Sequence, residues 1–214
     1  MWGCGDSEPL PDPMLASLDG YAAALVEWLA GAGVKEVVGV GCSMGGYVLF
    51  SLLRRAPELL RGLVLVSTRA GADTPEQAAN RRKMAELALR DGAETAVPMA
   101  NRLLGPQARE EPHIRDSVEG RIRRCRPDGI AACQMAMAAR PDSTGLLGSV
   151  DIPTLVIAGE QDAIIGLDEA RAMAEALPQA ELQVIPQVGH LPNLEDHQAF
   201  TEALAGFLNR LAAG

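Results

Sequence analysis

Apolar side chains at Leu15, Leu18, Ala22, Leu25 and Leu29 recur at helical spacing, and Gly31 and Gly33 end the pattern. A helix is therefore predicted over residues 15–30. The run Val37-Val38-Gly39-Val40 that follows is apolar at every position, which suits a parallel strand buried on both faces. A second helix is expected from after Ser43 to about Ala56, where Pro57 stops it. Leu63-Val64-Leu65-Val66 reads as another buried strand. Two more strands are expected at Thr154–Ala158 and Leu182–Ile185, with a helix over about Leu167 to Leu177 between them. A last helix opens near Asn193, carries Asp196 in its first turn and presents Phe200, Leu204, Phe207, Leu208 and Leu211 as its core stripe.

Between the second and third strands the pattern changes. From about Arg69 to Val150 no strand signal occurs. Thr74-Pro75-Glu76-Gln77 reads as a capping box with proline at the first helical position. Polar, Ala-rich helices follow, broken near Gly92, Gly105-Pro106, Pro127 and Pro141. The stretch keeps apolar periodicity, so it is read as an all-helical insertion and not a linker. Strands alternating with helices on either side of it imply a parallel sheet with helices on its faces. The fold class is α/β, with a sheet of about four strands, a core of residues 1–68 and 151–214, and a helical insertion over 69–150.

At 214 residues, one domain with a real core is expected. The formal net charge of −9 argues against a nucleic-acid partner, because phosphate contacts need clustered Lys and Arg. The runs Arg81-Arg82-Lys83 and Arg121-Ile122-Arg123-Arg124 have acidic neighbours and read as solvated helix faces. Neither a spanning apolar run nor a signal-peptide pattern is found, so no membrane partner is expected. Cys4, Cys42, Cys125 and Cys133 form no CxxC pair and no metal spacing. They read as reduced thiols of a cytoplasmic protein, with no metal and no cofactor.

Gly41-Cys42-Ser43-Met44-Gly45 matches G-x-S-x-G where an apolar strand gives way to a helix, the context a nucleophile elbow requires. Small residues on either side avoid a clash in so tight a turn. The hydroxyl of Ser43 would then stand at a helix N-terminus, where the Met44 backbone N–H and the helix dipole favour negative charge. Serine needs a base. Of three histidines, His113 lies in a charged stretch and His197 falls on the polar side of the last helix. His190 follows the last strand, at the carboxyl end of the sheet where open α/β folds bind ligands. A carboxylate must orient it. Asp162, just past the Thr154–Ala158 strand, is preferred over Glu160 and Asp168.

These residues carry a resemblance. Val40–Tyr47, Ile157–Asp162 and Val188–Glu195 together resemble the α/β-hydrolase family along essentially the whole chain, in its Ser–Asp–His order. Ser67–Ala70 and Met135–Ser143 are similar to enol-lactone hydrolases of the 3-oxoadipate type and to esterase-like relatives. The resemblance implies a helical cap at 69–150. It also implies a serine hydrolase of a small carboxylic ester or lactone, with catalytic Ser43, Asp162 and His190 and the Met44 N–H in the oxyanion hole. Met135 and Met137 read as cap core more than pocket wall. The alternatives are a non-catalytic hydrolase-like binding protein, or an acyltransferase or C–C hydrolase using the same three residues. One departure stands at the start. The chain opens at Gly3-Cys4-Gly5-Asp6-Ser7, which resembles the turn after the family's fourth strand, so the earlier strands and a His-Gly loop carrying a second oxyanion donor are missing. Either the sequence is a fragment, the preferred expectation, or it is a short relative that dimerises through the open Val37–Val40 edge.

Overall fold

The computed structural model describes residues 4, 5, 7, 8 and 16–213. Leu15, Gly3 and Asp6, named in the sequence reading, lie outside the described residues. The first helix, α1, spans Leu18–Gly31. The Ser17 hydroxyl caps it by accepting from the Gly20 N–H at 2.9 Å, and Gly33 takes φ 69° just beyond its end. Strand β1 (Val37–Cys42) and helix α2 (Met44–Arg55) follow, separated by Ser43 alone. Pro57 opens a 3₁₀ turn, Pro57–Leu59, that leads into β2 (Leu60–Val66).

Residues between β2 and β3 are helical wherever they are regular. They form α3 (Pro75–Asp91), a 3₁₀ stretch Ala93–Met99, α4 (Ala100–Leu103), α5 (Pro106–Glu110), α6 (Pro112–Arg123), α7 (Pro127–Ala138) and a second 3₁₀ stretch, Thr144–Ser149. The capping box at α3 is complete: the Thr74 hydroxyl accepts from the Gln77 N–H, and the Gln77 side chain accepts from the Thr74 N–H. Gly92 ends that helix at φ 85°, and Pro106, Pro112 and Pro127 each open one, as a residue without an N–H is suited to do. The chain then returns to β3 (Thr154–Gly159), α8 (Leu167–Ala176), β4 (Ala180–Ile185), the short α9 (Pro192–Glu195) and α10 (His197–Ala213). The last helix thus starts at His197, four residues after the expected start near Asn193. Asp196 stands before it and caps it, its Oδ1 accepting from the Ala199 N–H at 2.9 Å.

The four strands lie in the order β1-β2-β3-β4, all parallel. Both faces of the inner strands are covered, which is why their sequences do not alternate with polar residues. Leu63 and Leu65 of β2, with Val156 and Ala158 of β3, pack on Phe50 and Leu52 of α2 and Met173 of α8. Val64 and Val66, with Leu155 and Ile157, pack on the opposite side against Phe207 and the α10 stripe. Each fully buried Val, Leu, Ile or Phe side chain among these contributes about 1.5–3 kcal/mol over its exposed state. β1 forms one edge, where Val40 is 50% exposed. The insertion has its own small core of Ala100, Leu104, Ala108 and Val118, and Leu191 and Leu194 of the last connection pack into it. Among the described residues no helix is long and apolar enough to cross a membrane.

Candidate active site

The turn between β1 and α2 is built on steric demands at two glycines. Ser43 takes φ 50° and ψ −112°, a conformation that costs a non-glycine residue about 1–3 kcal/mol. The Ser43 N–H continues the sheet ladder by donating to the Val66 carbonyl at 2.8 Å. Its own carbonyl accepts from the Thr68 hydroxyl at 2.8 Å and from the Gly46 N–H at 2.9 Å. A Cβ on Gly41 would lie 2.5 Å from the Gly45 carbonyl carbon, and one on Gly46 would lie 2.5 Å from the Thr68 side chain. A Cβ on Gly45 would meet nothing within 4 Å. The close approach is therefore at Gly41 and Gly46, and the last glycine of G-x-S-x-G is not the crowded one. The Ser43 side chain makes no cap hydrogen bond with α2. The Met44 N–H lies in the first helical turn, where N–H groups have no intrahelical acceptor.

His190 and Asp162 meet at the same rim of the sheet. The His190 Nδ1 stands 2.7 Å from Asp162 Oδ2, and both side chains are 2% exposed. Because a carboxylate oxygen there accepts, Nδ1 carries the proton and Nε2 is left as the basic nitrogen. The second oxygen, Asp162 Oδ1, accepts from the backbone N–H groups of Ile164 (2.8 Å) and Ile165 (3.0 Å), so the carboxylate is held at both ends. Its rivals face elsewhere: Glu160 accepts from the Gln187 N–H at an exposed position, and Asp168 is exposed on α8. His113 and His197 are exposed as well.

One contact links the His190 pair to the elbow, and others join the Asp162 and His190 loops to each other. The Cys42 Sγ lies 4.0 Å from the His190 carbonyl oxygen. Burial, and after it the negative charge of Asp162, push the Cys42 thiol up to about 12, so this thiol stays protonated at neutral pH. The loops themselves are in backbone contact: the Gln161 N–H donates to the Val188 carbonyl at 2.8 Å, and a Cβ on Gly159 would overlap the Gly189 carbonyl oxygen.

Glu195 was not singled out in the sequence, and it organises this rim. Its Oε2 accepts from the N–H groups of Gly105 (2.7 Å) and Gly189 (3.0 Å), and its Oε1 accepts from Leu191 (3.0 Å). The His190 N–H donates to the Leu103 carbonyl at 3.0 Å. One carboxylate thus ties the residues flanking His190 to the insertion. The only signal available was a glutamate five residues past a candidate base.

A second buried carboxylate also escaped the sequence reading. Asp73, 1% exposed, pairs with Arg69 at 2.8 Å, with Arg140 at 2.8 Å and with Arg81. Burial alone would raise its carboxyl, but hydrogen bonds and charge from Arg81 and Arg140 outweigh burial and hold it below the ordinary value. Arg140 is 2% exposed, and its guanidinium stacks 4.2 Å from the centroid of the Tyr47 ring. Arg81 is therefore no solvated face residue, although Arg82, Lys83, Arg121, Arg123 and Arg124 are exposed. Met137 packs with Met44 and Tyr47, whereas Met135 is exposed and belongs to no core.

A four-stranded parallel sheet flanked by helices, with a serine at a strained strand–helix turn, defines a class that the family comparison identifies. Residues 1–197 match the model of the alpha/beta hydrolase fold family, and the chain belongs to that family. A thermophilic esterase from Thermogutta terrifontis, solved with malate bound, superposes with a TM-score of 0.94 at 37% identity, covering 99% of this chain and 78% of that one. A 3-oxoadipate enol-lactonase of Acinetobacter baylyi is 27% identical over 179 residues, 83% of this chain. A putative 2-succinyl-6-hydroxy-2,4-cyclohexadiene-1-carboxylate synthase of Bacillus subtilis is 27% identical over 183 residues, 80% of this chain. The match spans 65% of the length of each of these two relatives.

Proposed function

We propose that the protein is a serine hydrolase of a small carboxylic ester or lactone, with Ser43 as nucleophile, His190 as base and Asp162 as its orienting carboxylate. The observation that carries this reading is the buried His190–Asp162 pair, 2.7 Å apart, in a loop that touches the residue preceding Ser43. Relatives named as an esterase and an enol-lactonase support the reaction class.

In this reading Ser43 Oγ attacks the acyl carbonyl as its proton passes to His190 Nε2, and Asp162 stabilises the imidazolium that results. The Met44 N–H donates to the oxyanion. Collapse of the tetrahedral adduct breaks the acyl–oxygen bond, and the leaving alkoxide or enolate takes the proton from His190. Water then repeats the sequence on the acyl-enzyme, restoring Ser43 and releasing the acid. Residues 69–150 act as the cap over this rim. A second copy of the chain is the remaining partner in this reading, through the open edge of β1.

A fluorophosphonate probe tests the proposal. The native chain is expected to label at one site and to lose labelling in Ser43→Ala. Folded protein that fails to label, or labels equally in the variant, rejects Ser43 as an activated nucleophile and favours a binding protein on the same fold.

A further inference from the structure

A cavity of about 580 Å³ lies beside the proposed catalytic residues and takes no part in the reading above. Its size is that of a small-molecule site. Ile164 and Ile165, whose N–H groups hold Asp162, form part of its wall. Arg102 of its wall precedes Leu103, the residue whose carbonyl accepts from His190. The cavity therefore borders the turn that holds the Asp162 carboxylate, and its wall reaches the residue next to the one that anchors the His190 backbone.

Its charge is opposite to that of the chain. The sequence has 28 acidic and 19 basic residues, yet the wall carries Arg69, Arg81, Lys83 and Arg102 against one carboxylate, Asp73. That carboxylate is already engaged by three guanidinium groups, including Arg140. Arg69 also meets Glu169, which is 43% exposed and outside the wall. Lys83 and Arg102 make no ion pair among the described residues. Cations held at a concave, partly apolar wall focus a positive potential into it. The apolar remainder, Met84, Leu87, Met99 and the two isoleucines, suits a short methylene chain.

We infer that this cavity is a carboxylate-binding pocket, and that the ester or lactone cleaved at Ser43 carries a free carboxylate which the pocket receives. The pocket rests on the cavity alone; its assignment to the substrate rests on the hydrolase reading. Arg69 and Arg81, locked by Asp73, form a fixed positive floor. Lys83 and Arg102 are the unpaired charges that meet the anion.

Two measurements on the full chain test the pieces separately. The first is calorimetric titration with glutarate and with its neutral analogue glutaramide. Glutarate is expected to bind at least tenfold tighter, and the double variant Lys83→Gln/Arg102→Gln to weaken it by about five- to thirtyfold, the effect of one to two kcal/mol from two exposed charges. The second is hydrolysis of 4-nitrophenyl hemiglutarate against 4-nitrophenyl valerate. The double variant is expected to lower kcat/KM for the acidic ester relative to the neutral ester by the same factor. Equal binding of glutarate and glutaramide, or glutarate binding indifferent to the double substitution, overturns the pocket. Hydrolysis of both esters without preference for the acidic one overturns the substrate assignment and leaves the hydrolase reading standing. Binding of glutarate that the variant loses, with neither ester hydrolysed, keeps the pocket and removes the hydrolase reading.

Discussion

Two buried carboxylates illustrate how differently one residue type is used. Asp162 accepts from two backbone N–H groups and from one imidazole, which fixes the direction of His190 Nε2. Asp73 accepts from three arginines and ties the start of the insertion, Arg69 and Arg81, to its end at Arg140. Removing the acceptor from such a cluster leaves buried cations uncompensated. Asp73→Asn is therefore expected to destabilise the fold by about 3–5 kcal/mol at neutral pH, read by urea unfolding. The sign of its pH dependence follows from the lowered carboxyl. In the native chain the contribution is fully present above the ordinary value of 3.8 and is lost as pH falls through the lower folded value. The gap between native chain and variant should thus narrow below pH 3.8; a gap that is flat with pH contradicts the ion-pair account.

At the level of elements, the connection from β4 to α10 carries His190, the proposed base, and its conformation is set by contacts outside itself. Gln187 takes φ 61°, and Gly189 packs so closely on Leu104 and Gly105 that a Cβ there would lie 2.3 Å from the Gly105 nitrogen. Glu195 closes this arrangement by collecting N–H groups from both sides of His190 and from the insertion. In Glu195→Gln an amide NH₂ replaces one acceptor and faces a backbone donor. Loosening the base in this way is expected to lower kcat by about 10–100-fold with a smaller change in KM. Amide exchange at Gly189 and Leu191 should quicken in the same variant. Unchanged exchange with lowered kcat would point to a role for Glu195 other than holding the loop.

For the whole molecule, the sheet is asymmetric. β2 and β3 are paired on both sides, whereas β1 and β4 each have one neighbour. β4 alternates exposed Glu181 and Gln183 with less exposed residues, a pattern that resists pairing with another chain. β1 has no charged side chain and exposes Val40. Self-association through β1 is expected to rise with protein concentration in sedimentation velocity, and Val40→Lys to return the chain to monomer. Association that persists unchanged in the variant places the contact elsewhere.

Much of this was legible along the chain because it depends on neighbours in sequence. Runs apolar at every position mark the parallel strands, β2 covered on both faces and β1 an edge with Val40 exposed; a threonine three residues before a glutamine marks a helix start, and a strand–serine–helix junction marks the elbow. These signals arise from backbone periodicity and from end groups that must find partners within a turn or two. The rest needed the folded chain. That Gly46 and not Gly45 is crowded is decided by Thr68, which lies just past the end of the neighbouring strand. That Arg81 faces inward is decided by Asp73 and by the return of the chain at Arg140. That Glu195 holds the His190 loop is decided by Gly105, ninety residues earlier. No periodicity records such pairings, because a buried charge is tolerated only where the fold happens to deliver its partners, and the partners come from segments that local propensity treats as unrelated.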